Sequence, residues 1–173
     1  NKNLIIIIDK ILKRLIKSNY NKINIIDSNL DDIEQFMFRE NKSLFDESKN
    51  YNNNLMEIAK EKSKKIPLYN LGGGGACDLI YFLIRKNKPK VAVESGVDAG
   101  FSTHAILSAM KKNKSGTLFS SDFPYYFRVP EPEKHIGILV DSQLKDNWNL
   151  FINGDKFNLK LIKKKINKID FIH

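Results

Sequence analysis

The chain has 173 residues, of which 42% are hydrophobic and 28% charged, a balance that supports one packed domain and excludes wholesale disorder. A single cysteine, Cys77, excludes an internal disulfide framework and a cysteine-cluster metal site, and the longest aliphatic run, Leu4 to Ile8, is far short of the roughly 20 apolar residues of a membrane span. The net charge of +9 is carried almost wholly by lysine: the only arginines, the side chains that fork onto phosphate and guanine, are Arg14, Arg39, Arg85 and Arg128, so no nucleic-acid partner is expected.

Residues 1–20 predict an amphipathic helix, with Leu4, Ile8, Ile11, Leu12, Leu15 and Ile16 on one face and lysines between them. Such a helix docks on its own domain or on a partner, which leaves homo-oligomer formation through the N-terminal helices open. Residues 30–38 predict a second helix after an N-cap within Asp27 to Asn29. Residues 41–54 are polar, and Asn52-Asn53-Asn54 predict a loop there, followed by a helix over 55–64. Gly72 to Gly75 lack the Gly-Lys-Ser/Thr ending of a phosphate loop and read as an entry to the next helix.

From residue 76 the pattern alternates. Helices are predicted over 77–86, 101–112 and 157–166, and strands over 90–95, 116–121, 148–152 and 168–173, with a single helical turn at 142–147. Strand, helix, strand in repetition is the mark of βαβ units on a parallel sheet. The expected fold is therefore α/β, a Rossmann-like doubly wound parallel sheet preceded by a helical N-terminal segment. Residues 1–70 are expected to form the helical segment and 71–173 the sheet domain. The apolar run Ile169 to Ile172 ends the chain inside a predicted strand, so the sheet is expected to be incomplete on its C-terminal side.

The segment Val91 to Thr103 carries the chemistry. An apolar strand ends at Glu94, turns through Gly96 and Gly100, and enters a helix at Ser102 and Thr103. Ligands of open α/β sheets sit beyond the carboxyl ends of the strands, where glycine lets the backbone approach them. A dinucleotide loop, Gly-x-Gly-x-x-Gly, would need glycine where Asp98 stands, and a carboxylate beside a pyrophosphate repels it. A zwitterion suits the loop better, because its ammonium can pair with Glu94 or Asp98. S-adenosylmethionine is such a ligand. Asp122 follows the second strand and is placed to accept ribose hydroxyls, Phe123 to stack on adenine, and Asp155 to face the adenine from the end of the third. The simpler roles for Asp122 and Asp155 are a turn before Pro124 and a helix N-cap.

Residues 79–173 resemble class I S-adenosylmethionine-dependent methyltransferases, and within them the small-molecule O-methyltransferase and cephalosporin-hydroxylase-like group. The likeness rests on Val93-Glu94-Ser95-Gly96-Val97, Gly100-Phe101-Ser102, Ser120-Ser121-Asp122-Phe123-Pro124, Trp148, Gly154-Asp155 and Ile169 to His173. It implies S-adenosylmethionine as cofactor, contacts at Glu94, Gly96, Val97, Gly100, Ser102, Asp122, Phe123 and Asp155, and methyl transfer to a small polar acceptor at oxygen in the cytoplasm. It also implies an acid-rich segment after the fourth strand, which this sequence does not contain. A divalent metal, if one takes part, is therefore expected on residues beyond the C-terminal end. His104, His135 and His173 are the histidines, and none is assigned as a base. An NAD(P)-dependent oxidoreductase, a metal-dependent hydroxylase-like enzyme and a catalytically idle assembly module are the alternatives.

Overall fold

A computed structural model describes residues 30–65, 75–124 and 130–173. The predicted helix over 1–20, Gly72 to Gly74 and Arg128 lie outside the described residues. The alternation from residue 76 onward takes the form expected. Helix α3 (Cys77–Asn87) leads into β1 (Val91–Ser95), α4 (Phe101–Asn113), β2 (Thr117–Ser121), β3 (Trp148–Phe151), α5 (Asp155–Lys163) and β4 (Phe171–Ile172). Two 3-10 turns, Pro132–His135 and Ser142–Asn147, fill the crossover between β2 and β3. All strand pairs are parallel, in the order β3-β2-β1-β4.

Side chains alternate across a strand, and the two faces of this sheet are covered by different helices. Ala92 and Leu118 face α3 and α4, joining Ile80, Tyr81, Ile84, Ala105, Ile106, Ala109 and Met110. Val93 and Phe119 face the other way, onto Ile162 of α5. Helices on both faces make the sheet doubly wound, and its strands are accordingly apolar without interruption from 91 to 93. Ile84, Ile106 and Leu118 are wholly buried, each worth about 1.5–3 kcal/mol in transfer free energy.

The N-terminal helices are α1 (Leu30–Glu40) and α2 (Lys42–Lys65). Here the loop expected around Asn52 to Asn54 is corrected, since α2 runs through it without a break. Asparagine is a poor helix former by only a fraction of a kcal/mol, and tertiary packing outweighs that. Tyr51 and Leu55 flank the asparagines and bury against α3 and α4, with the Tyr51 ring stacked 4.1 Å from that of Tyr81. The asparagines themselves occupy the outer face. Two polar pairs pin the helices together. Glu47 accepts from Tyr81 (2.7 Å) and Arg85 (2.9 Å), and Lys49 donates to Asp78 (2.7 Å). The Arg85 hydrogen bond is the largest influence on Glu47 and holds its carboxyl below the usual range. Among the described residues no helix is long and apolar enough to cross a membrane.

Candidate functional site

The alternation that sorts the core also sorts the polar groups at the strand tips. Glu94 and Ser120 are register partners two residues beyond Ala92 and Leu118, so both turn toward α4. Ser95 and Ser121, the next register pair, turn toward α5. Two polar clusters result, one on each face of the sheet, with the loop 96–100 crossing between them.

On the α4 side, Glu94 is wholly buried and accepts three hydroxyl hydrogen bonds: from Ser102 on Oε1 (2.6 Å) and from Thr103 and Ser120 on Oε2 (2.8 and 2.7 Å). The indole of Trp148 donates in turn to Ser120 Oγ (2.8 Å). Ser102 and Thr103 therefore serve the carboxylate, and α4 begins at Gly100 with no side-chain cap. The amides of its first turn have no partner within the helix and carry its positive dipole end. Among the described residues no cation pairs with Glu94 in an ion pair. Burial is the dominant influence and raises the carboxyl above the ordinary value of 4.5, against the hydroxyls and the His173 charge, which favour the anion.

That shift has a measurable consequence. Folded Glu94 keeps its proton at pH values where the unfolded chain has lost it, so its contribution to stability falls as pH rises from 4.5 through the folded value. Gln at this position keeps the shape and cannot titrate. Unfolding midpoints of wild type and Glu94→Gln, measured across the range from 4.5 to neutrality, are expected to move in favour of the variant as pH rises. Parallel profiles would show that Glu94 titrates normally.

Asp122 stands just past β2, 7% exposed, and bridges to the glycine loop. Its Oδ2 accepts the amides of Val97 (2.9 Å) and Asp98 (2.7 Å), and its Oδ1 the amide of Phe123 (2.6 Å). A carboxylate has about four acceptor positions, so three are taken and one remains on Oδ1. Asp122 can accept one ribose hydroxyl in this arrangement, not two. Val97 and Phe123 are buried beside it.

On the α5 side, Asp155 accepts from Ser121 (2.6 Å) and Ser95 (3.1 Å), tying β1 and β2 to the start of α5. Asn158, one turn further and wholly buried, shares its two Nδ2 protons among the Phe151 carbonyl (2.8 Å), the Asp122 carbonyl (3.1 Å) and Ser121 Oγ (2.9 Å), and accepts the Asn153 amide (3.0 Å).

The loop is held from its other side by residues 137–140. Gly137 donates to the Asp98 carbonyl (2.7 Å) and Leu139 to that of Ala99 (3.0 Å). Asp98 thus sits at φ +48, unusual for a residue with a side chain, with its amide on Asp122 and its carbonyl on Gly137. Gly100 (φ +94) lies so close that a Cβ there would stand 2.9 Å from Gly137 Cα. Gly96 (φ +91) differs: among the described residues a Cβ there would meet nothing within 4 Å.

Of the residues singled out in the sequence, Glu94, Gly96, Val97, Gly100, Ser102, Asp122, Phe123 and Asp155 all fall at this end of the sheet. Among the histidines, His104 points away, into α2. Its Nδ1 lies 2.7 Å from Tyr51 Oη and 3.2 Å from Ser108 Oγ, and burial lowers its pKa. His135 ends the first 3-10 turn, and its carbonyl accepts the Ile138 amide. His173 pairs through its backbone with Val93 and Ser95, placing it beside the tips. Among the described residues no cluster of three or more His, Cys, Asp or Glu is arranged to hold a metal. Sequence reasoning placed Ser120 in a motif without giving it a role, and passed over Gly137 and Asn158. The two-residue period from Leu118 would have placed Ser120 with Glu94, whereas nothing local marks Gly137 or Asn158.

No family model matches the chain, and no curated protein matches it in sequence. Solved structures do. An SAH-bound methyltransferase of Podospora anserina shares 15% identity at a TM-score of 0.54, over 87% of this chain and 60% of that one. An O-methyltransferase of Bacillus cereus in complex with SAH shares 16% at 0.52, over 68% and 51%. At such identities the likeness establishes the fold, Rossmann-like α/β. The chain spans 60% and 51% of the length of these two structures.

Proposed function

We propose that this chain is the S-adenosylmethionine-binding part of a class I methyltransferase acting on a small polar acceptor, at oxygen. The observation that carries the reading is the loop 96–100: among the described residues a Cβ at Gly96 would meet nothing within 4 Å, the loop leads into a helix N-terminus without a side-chain cap, and it is tied to Asp122, which keeps one acceptor position. Those three features match the parts of the cofactor. The first-turn amides of α4 suit its carboxylate, Asp122 Oδ1 suits a ribose hydroxyl, and the missing side chain at Gly96 leaves room for the nucleoside. The likeness in fold to two SAH-bound methyltransferases supports the same ligand.

S-adenosylmethionine supplies a sulfonium-activated methyl group, and this chain's residues supply binding and alignment. Glu94 acts through others: it orients Ser102, Thr103 and Ser120, which set the pitch of α4 against β1 and β2. Asp155 joins β1 and β2 to α5 below the adenine region. In this reading residues 71–173 form the binding domain, residues 1–70 a helical segment leading into it, and the protein works in the cytoplasm. The oxidoreductase alternative is disfavoured by Asp98, whose carboxylate stands where a pyrophosphate would need glycine.

Thermal unfolding with added ligand tests the reading. S-adenosylhomocysteine at about 100 times its dissociation constant is expected to stabilise the chain by about 2.7 kcal/mol, with no shift from NADH. A shift from NADH alone would reverse the assignment.

A further inference from the structure

Lys62, near the end of α2, reaches the segment that backs the glycine loop. Its Nζ donates to the carbonyls of Ile138 (2.9 Å) and Leu139 (3.3 Å) and to Asp141 Oδ1 (3.3 Å), so all three ammonium protons are placed on segment 138–141. The amides of Leu139 and of the preceding Gly137 hold the glycine loop, Gly137 on Asp98 and Leu139 on Ala99. Ala59, one turn before Lys62, packs against Ala99 and Leu139. The Trp148 indole backs the segment from the far side: a Cβ at Gly137 would meet its ring at 2.3 Å. A continuous chain of contacts therefore runs from α2 through 137–139 to residues 98 and 99, the stretch whose left-handed Asp98 gives the loop its shape.

We infer that Lys62 is a positioning residue for the ligand loop, through which the N-terminal helical segment sets the affinity of the site. The inference rests on the proposed cofactor reading. Its physical basis is pre-organisation: Asp98 holds an uncommon backbone conformation only while both flanks are fixed, and Asp122 supplies one flank and segment 137–139 the other. A charge-assisted contact to two carbonyls and a carboxylate orders that second flank. Without it the loop must be ordered by the ligand itself, at the expense of affinity.

Two readouts separate positioning from bulk stability. The first is S-adenosylhomocysteine affinity by titration calorimetry, for wild type, Lys62→Met, Lys62→Arg and the control Lys64→Met, whose partner among the described residues is the exposed Glu61. Lys62→Met is expected to bind about tenfold more weakly. Lys62→Arg, which keeps the charge and the donors, is expected to recover most of the loss, and Lys64→Met to match wild type. The second readout is fluorescence. Trp148 is the only tryptophan, so its emission reports on the segment it backs; a red shift is expected in Lys62→Met and not in Lys64→Met. Wild-type affinity and emission in Lys62→Met would overturn the inference while leaving the cofactor reading intact. A loss that Lys62→Arg does not recover, matched by an equal fall in unfolding midpoint, would reduce Lys62 to a general stabilising contact and also overturn it. A wild-type chain that does not bind S-adenosylhomocysteine would overturn the cofactor reading and the inference with it, whereas an unchanged emission in Lys62→Met is the failure of the inference alone.

Discussion

Asp122→Ala is expected to destabilise the chain by about 3–5 kcal/mol and to abolish S-adenosylhomocysteine binding. The size follows from what is left behind. Three backbone amides, of Val97, Asp98 and Phe123, lose the carboxylate they donate to, and those of Val97 and Phe123 do so out of reach of water. An unsatisfied buried donor costs roughly 1–3 kcal/mol, and Asp98 loses an anchor of its left-handed conformation. Asp122→Asn separates charge from shape. Its amide keeps one oxygen and turns a donor toward the others, so an intermediate loss is expected. Chemical denaturation gives the stability and calorimetry the affinity. An Ala variant within about 1 kcal/mol of wild type would show that the loop does not depend on the carboxylate.

Gly137→Ala is expected to cost about 2–4 kcal/mol, although the position is remote in sequence from every motif of the site. The added methyl would stand 2.3 Å from Trp148 Cη2, at a backbone φ of +67 that disfavours any side chain. Relief requires moving Trp148, whose indole N–H is committed to Ser120 and through it to Glu94. Gly96→Ala is the informative contrast. There too φ is positive, but the methyl meets no atom of the described residues within 4 Å, so only the conformational cost of about 1–2 kcal/mol is expected. Its methyl would occupy the proposed ligand space, so its affinity should fall by more than its stability does. Equal stability losses in the two variants would argue against the packing of Gly137 on Trp148.

The strands and helices from residue 76 onward were legible because each carries its own period. The apolar run 91–93, the helical spacing of Ala105, Ile106, Ala109 and Met110, and the glycines between them are local features that short-range sterics decide. The roles of the acids were legible only in part. Glu94, Asp122 and Asp155 were placed correctly at one end of the sheet, since three successive strands of a parallel sheet must end on the same side. Their partners were not. Glu94 turned out to be enclosed by hydroxyls, and Asp122 to spend three of its acceptor positions on backbone amides. The asparagines of α2 failed for the opposite reason: their local preference is real, but Tyr51 and Leu55 on either side are committed to the core.

The sequence alone thus determined an α/β sheet with a glycine turn after its first strand and carboxylates at the tips, because periodicity and turn chemistry act over a few residues. Tertiary structure decided which groups those carboxylates hold, and that Lys62 and Gly137 belong to the same loop. Val97 and Asp122 are 25 residues apart and Lys62 and Ile138 are 76, and only the parallel register and the docking of α2 bring such pairs within hydrogen-bonding distance.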